Sequence, residues 1–332
     1  MTKRAVSPSA LEFDLEAHDA LLKAQRMFGD TSANDVYELR LTLASPAITT
    51  AEKSNSPPIG LPTLDGFLSY VAFHVALTTA LQTQPELSQR LIWQWNVALR
   101  NPQAWIEFSL PLREVVLPNN RFLFDCSVGI PLDDKDQPLI PAGGYAIQDG
   151  ENFVTYPAVV DSLPLRRRVV EPYGRPISLK TALNTSDGKN KLLDNRLYFP
   201  LITRYLFLFR GDVAGVEEFL KHAIEKNIGL GKKTSLGFGQ ISSFAIQKSG
   251  SPVTFAYPIR QNLGDGTEMA LIKSLPFDYA MRQRELADRL LFGCEQFAVV
   301  GAIETHGAYR PPYWLRQERT QILRYGSVIQ RR

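Results

Sequence analysis

Four glycines fall within eleven residues, from Gly229 to Gly239 (GLGKKTSLGFG), and no other feature restricts the chain as much. Each glycine costs backbone entropy on ordering, so such density implies a geometry that needs positive φ or an approach too close for a Cβ. Upstream, Asp212 precedes an apolar stripe of Val213, Val216, Phe219, Leu220 and Ala223, which predicts a capped amphipathic helix. Downstream, QISSFAIQ (Gln240 to Gln247) predicts a strand. The glycines therefore join a helix to a strand. A Rossmann fingerprint has the reverse order, and Walker A spacing fails because Gly231-Lys232 is followed by Lys233 and position 226 is lysine. For Gly229 alone a helix C-cap is the simpler reading. For the whole loop, successive N–H groups, the charges of Lys232 and Lys233 and the hydroxyls of Thr234 and Ser235 suit the holding of an RNA backbone without reading its bases.

Around this loop the pattern is mixed. Leu11 to Phe28 predicts a loosely amphipathic helix stopped by Gly29 and Asp30, and Val36 to Leu43 (VYELRLTL) predicts a period-two strand. After a Ser/Pro/Asn loop, Thr63 or Asp65 can cap a well-buried helix over Phe67 to Leu81, and Glu86 to Leu99 suggests a second helical piece. Strands are expected at Ala104 to Leu110, Arg121 to Val128 and Leu197 to Arg210. From Gly129 to about Asn195 neither period is sustained, which points to a protruding insertion carrying Arg166, Arg167 and Arg168. The order is strand, helix, strands, insertion, strand, helix, strand. It predicts an α+β fold of the ferredoxin-like (RRM-like) βαββαβ type over 35–248, with an inserted thumb at 129–198. An N-terminal helical extension (1–34) and a C-terminal extension (249–332) flank it. The latter is expected to hold loops, one helix near Tyr279 to Leu291 and the Pro/aromatic segment Tyr309 to Trp314.

Composition is that of an ordinary globular chain, 44% hydrophobic over 332 residues. Two cysteines, Cys126 and Cys294, are too few for a disulfide framework and lie too far apart for a metal knuckle, so a reducing cytoplasm is expected. The first residues turn acidic before any apolar run, unlike a secretory signal, and Gly66 to Leu77 is short for a membrane span, so no membrane partner is expected. The net charge of +3 conceals an uneven distribution: acids dominate Glu12 to Glu38, while bases crowd Arg166 to Arg204, the glycine loop and the C-terminus.

Catalytic patterns are weak. The chain has only four histidines: His18, His74, His222 and His306. His74 shares a helical stripe with Phe67, Tyr70 and Leu77, where a packed imidazole is expected, and His222 beside Lys221 is expected on a solvated face. Asp133, Asp134 and Asp136 lack the EF-hand glycine and distal glutamate, and neither a nucleophile elbow nor HExxH occurs. No metal or cofactor is called for. Phe238, Tyr198, Phe199, Tyr309, Tyr313 and Trp314 are the aromatics placed to stack on bases.

GLGKKTSLGFGQI, between the second helix and last strand of such a unit, resembles the glycine-rich signature of the RAMP superfamily of CRISPR-Cas RNA-binding proteins. GLPTLDGFLSYVAFHVAL after the first strand, and AYRPPYW (Ala308 to Trp314), look most similar to the type IV subunit of the Cas-five group. The resemblance covers about 36–82, 200–247 and 308–314. It implies a non-catalytic subunit of a type IV CRISPR ribonucleoprotein that grips the 5′ handle of the crRNA and caps a filament of Cas-seven-type backbone subunits. Other type IV subunits, a DinG-type helicase and target DNA reached through the assembled complex are the further partners it implies. By position, Gly231, Lys232, Lys233, Gly237 and Gly239 would line the handle, with Arg166 to Arg168 in the thumb. Some relatives cut repeat RNA without a metal, using His, Tyr or Lys, and a metal-independent endoribonuclease that processes pre-crRNA is the alternative.

Overall fold

The computed structural model describes residues 14–47, 61–92, 106–117, 121–133, 135–138, 155–159, 196–200, 202–231, 234, 237–251, 253–262, 266–282, 297–302, 304–309, 311 and 320–331. The fold is α+β. Its central sheet joins β1 (Tyr37–Leu43), β4 (Ile130–Pro131), β7 (Arg204–Phe209) and β8 (Ile241–Lys248) in the order β4-β7-β1-β8, with every neighbouring pair antiparallel. Alternation dictates which face each residue takes. Leu39, Leu41 and Leu43 of β1 and Tyr205, Phe207 and Phe209 of β7 are buried in one cluster with residues of α1 (Leu15–Ala24), α2 (Leu64–Thr83) and α3 (Val213–Glu225). On the opposite face Leu206 and Leu208 meet Val36, Val128, Ile130, Leu132 and Ile272.

Each helix begins where its sequence allows. Asp14 accepts from the Ala17 N–H (3.1 Å) at the start of α1, and Asp212 from the Gly215 N–H (3.2 Å) at the start of α3. At α2 the N-cap is Thr63, whose side chain makes no capping bond. By length and composition α2 could cross a membrane, yet it buries Leu64, Phe67, Leu68, Val71, Phe73 and Ala76 within the fold, as a core helix does.

The C-terminal region differs most from expectation. Where mainly loops and one helix were expected, its described residues hold seven strands beside a helix. β9 (Ala256–Asn262), β10 (Gly266–Leu271), β12 (Phe297–Gly301) and β15 (Val328–Arg331) form one antiparallel sheet, ordered β12-β15-β10-β9. β11 (Leu275–Pro276), β14 (Thr320–Leu323) and β13 (Glu304–Gly307) form another, and the helix expected near Tyr279 to Leu291 is seen as α4 over Phe277–Arg282, with 283–296 outside the described residues. The strands are short and, apart from the hairpin of β9 and β10, pair across longer gaps in sequence, so no sustained alternation announces them. Their core also takes Val115, Leu117 and Leu123 from a hairpin of β2 (Glu114–Leu117) and β3 (Arg121–Phe124).

Three further expectations shift. The strand expected at Ala104 to Leu110 lies instead at β2. The aromatic run Leu197 to Arg210 is divided: β6 (Arg196–Pro200) pairs with β5 (Thr155–Val159) in a separate ladder, and only β7 enters the central sheet. Pro200, which has no N–H to donate, ends β6. Ile130 and Pro131, at the start of the stretch read as an insertion, pair with Leu206 and Tyr205 of β7.

Two buried charge clusters join the central sheet to the C-terminal region. Asp65, in the first turn of α2, pairs with Lys273, and both are essentially inaccessible. Burial opposes the lysine's charge, but Asp65 outweighs it and holds the ammonium above the ordinary lysine range. Lys273 Nζ also lies 3.6 Å from the Cys126 sulfur, whose thiol is pushed far up by burial. In the second cluster the buried Asp125 carboxylate accepts from Arg113, Arg210 (3.1 Å) and the Thr254 hydroxyl. Asp65 is thus a tie between regions, and its Oδ1 also accepts from the Gly66 N–H (2.8 Å) in the first turn of α2, a helix-start donor of the kind it was expected to satisfy.

Candidate nucleic-acid interface

The loop between α3 and β8 begins with the end of its helix. Asn227 adopts φ 53°, its N–H reaches the Ile224 carbonyl (3.2 Å), and the Ile228 N–H reaches the Ala223 carbonyl (2.8 Å). This is a Schellman closure in which Asn227 supplies the left-handed residue, so Gly229 is not the C-cap. Ile228 and Leu230, buried in the main core, anchor the strand of chain that follows.

Gly229 and Gly239 form the neck of the loop. The Leu230 N–H donates to the Gly239 carbonyl (2.8 Å). A Cβ on Gly229 would lie 2.8 Å from the Phe238 carbonyl oxygen, and one on Gly239 only 2.0 Å from that of Leu230. Gly239 also has φ +66°, while Gly231 and Gly237 have φ 91° and 89°. Every glycine of the run thus answers to backbone geometry. Gly237 differs from the neck pair: among the described residues nothing lies within 4 Å of a Cβ built there, so its requirement is for φ alone and they leave its side of the loop open.

The loop is suspended from the end of β1. Ser45 Oγ donates to the Gly237 carbonyl (2.5 Å) and accepts from the Gln240 N–H (3.3 Å), and the Gly239 N–H donates to the Pro46 carbonyl (3.0 Å). Sequence reasoning missed Ser45 and Pro46. They lay in a Ser/Pro-rich stretch with no periodicity, and only the sheet brings them beside residues almost two hundred positions later.

Of the residues predicted to bind RNA, Gly229, Gly231, Thr234, Gly237, Phe238 and Gly239 are brought together here, with Thr234 and Phe238 half-buried. The Thr234 carbonyl accepts from the Gly237 N–H (2.9 Å), closing the turn at the tip. Lys232, Lys233 and Ser235 lie outside the described residues, as do Arg166, Arg167 and Arg168. Among the proposed stacking aromatics, Tyr309 is buried in the C-terminal core and Tyr198 and Phe199 belong to β6, whose ladder with β5 is separate from the central sheet's; Tyr313 and Trp314 are outside the described residues.

One histidine lies on each of the helices α2 and α3. His74 on α2 is half-buried, with edge-on contacts to Tyr70 (4.7 Å between ring centroids) and Phe73 (5.7 Å). Burial lowers its pKa below the ordinary imidazole value, and the charge of His222 on α3 adds to the shift. His222 is lowered by burial and then by Lys226, and its Nε2 is buried with no hydrogen-bond partner among the described residues. The expectation that His222 lies on a solvated face is corrected: α3 turns that nitrogen inward. Two imidazoles held neutral at neutral pH can accept a proton. Among the described residues, no group of three or more His, Cys, Asp or Glu could hold a metal ion.

A scan against protein-family models and a search of curated proteins both find no match for the chain.

Proposed function

We propose that this chain binds RNA through the α3–β8 loop, as a non-catalytic subunit of a type IV CRISPR ribonucleoprotein that grips the 5′ handle of the crRNA. The observation that carries the reading is the placement of the loop. It joins the second crossover helix to the last strand of a sheet ordered second-third-first-fourth, all antiparallel, which supports the ferredoxin-like βαββαβ reading within the α+β fold. The neck at Gly229 and Gly239 and the bonds from Ser45 fix the loop, and the open side at Gly237 leaves room for a phosphate to approach the backbone. Lys232 and Lys233, next to Gly231 in sequence, supply positive charge to this segment of the chain. In this reading Cas-seven-type backbone subunits, other type IV subunits and a DinG-type helicase are partners, and target DNA is reached through the assembled complex.

Binding of a handle-bearing RNA, measured by fluorescence anisotropy across a salt series, tests the proposal. Each lysine that neutralises a phosphate contributes about 0.7 to the slope of log affinity against log salt on a single strand, so changing Lys232 and Lys233 together to Ala should flatten it by about 1.4. Unchanged, salt-insensitive binding would overturn the reading.

His74 and His222, both held below the ordinary imidazole pKa by burial, favour one alternative, a metal-independent repeat endoribonuclease. Incubating unprocessed repeat RNA with the protein in EDTA decides it: cleavage lost in His74→Ala supports the nuclease, and an intact repeat rejects it.

A further inference from the structure

β8 is an edge strand of the central sheet, and its two ends and its middle are built differently. The Ser249 N–H donates to the Val36 carbonyl (2.8 Å), and the register pairs Glu38 with Gln247, Arg40 with Ala245 and Thr42 with Ser243. In an antiparallel ladder the bonded pairs alternate, so Ser243, Ala245 and Gln247 turn their backbone groups toward β1. Phe244, Ile246 and Lys248 turn theirs to the outer edge, where no described strand receives them. Natural sheets protect such an edge with bulges, charges or proline. Here the protections stand at the ends only. A register shift at Thr42/Leu43 distorts the start of β8, and Lys248, paired with Asp35 (2.8 Å), guards its finish. The window between them, Ser243-Phe244-Ala245-Ile246-Gln247, has neither charge nor proline.

We infer that this window pairs with the same window of a second copy of the chain, antiparallel and about a two-fold axis through Ala245. The register is self-complementary. Phe244 falls opposite Ile246 of the other copy, Ser243 opposite Gln247, and Ala245 opposite itself. Both bonded pairs are Phe244 with Ile246, the residues whose backbone groups point outward. Phe244 and Ile246 are partly buried against the main core, and the pairing extends that apolar layer across the seam. No like charges meet, and Lys248 lies opposite the uncharged Ser242. A seam of five residues is small beside a standard interface, so the dimer is weak and concentration-dependent. The inference does not rest on the RNA reading, because its test contains no RNA.

Sedimentation velocity on the full chain, over about 1 to 200 µM, should show a reversible monomer–dimer equilibrium. Ala245 is exposed, so changing it leaves the monomer's core intact. Ala245→Lys places two ammonium groups directly opposite each other and should weaken the dimer about fivefold or more, as Ala245→Glu should with two carboxylates. Mixing the two variants should restore dimer, since Lys then faces Glu. A wild-type chain that stays monomeric throughout overturns the inference, whether the edge is bare or covered by the chain's own residues. Dimers that persist unchanged in both single variants overturn it equally.

Discussion

The central sheet with its helices and the C-terminal sheets are both antiparallel, yet they are assembled by opposite means. In the first, each long strand or helix carries its own burial pattern: β1 alternates, and α3 shows a single stripe of Val216, Phe219, Leu220 and Ala223. In the second, β10 must find β15 some sixty residues later, and the core is completed by the distant Val115, Leu117 and Leu123. The seam between them is held by charge as well as by apolar contact. Buried ion pairs contribute little net stability when intact but are costly to break, because removing one partner leaves an uncompensated charge. The second region is therefore fastened by interactions that tolerate no partial loss.

The largest expected effect is at that seam. Lys273→Ala leaves the buried Asp65 without its cation and should cost about 3–5 kcal/mol in denaturant unfolding. Replacing the pair together, Asp65→Leu with Lys273→Met, should recover most of the loss. If the two regions separate in the single variant, the one unfolding transition splits into two; an unaltered single transition would mean the apolar seam suffices.

Next in size is the glycine loop, which belongs to the central region. Gly239→Ala meets both a positive φ and the Leu230 carbonyl and should cost about 1–3 kcal/mol. Gly237→Ala meets only the φ requirement and should cost about 1 kcal/mol. Equal losses at the two sites would remove the distinction between neck and open tip.

Removing the cap of α1 is smaller still. Asp14 accepts from the Ala17 N–H and pairs with Arg90 (2.6 Å), and Asp14→Ala should cost about 1 kcal/mol, with the C-terminal sheets unaffected.

The pH dependence sharpens the contrast more gently. His74 and His222 have folded pKa values lowered by burial, so the unfolded chain binds protons more readily. Their contribution to stability is full above the ordinary imidazole pKa near 6.5 and is lost as pH falls through the lower folded values. His74→Gln should flatten that decline in urea titrations below pH 6.5, whereas a decline of unchanged slope would mean other groups produce it.

Legibility followed the range over which each feature is encoded. The helix–glycine–strand order, the cap at Asp212 and the faces of β1 were readable, because each is set by neighbours within a turn or two. Asp65 was readable as a helix-start carboxylate, and its Oδ1 accepts from the Gly66 N–H, but its ion-pair partner is 208 positions away and nothing beside it in sequence announces that. His222 looked solvated because Lys221 is beside it in sequence, although α3 points the two in different directions. The glycine count suggested a ligand, while the coordinates show that the loop's own neck and tip already require those glycines.

By itself, then, the sequence determined where the chain must bend and which residues must be inside: backbone strain and burial are local properties of residue type and period. Only the tertiary structure decided what the bends lie against. Ser45 holds the glycine loop, Lys273 neutralises Asp65, and the described residues after Gly250 are mostly strands, because pairing between distant segments leaves no trace in either segment alone.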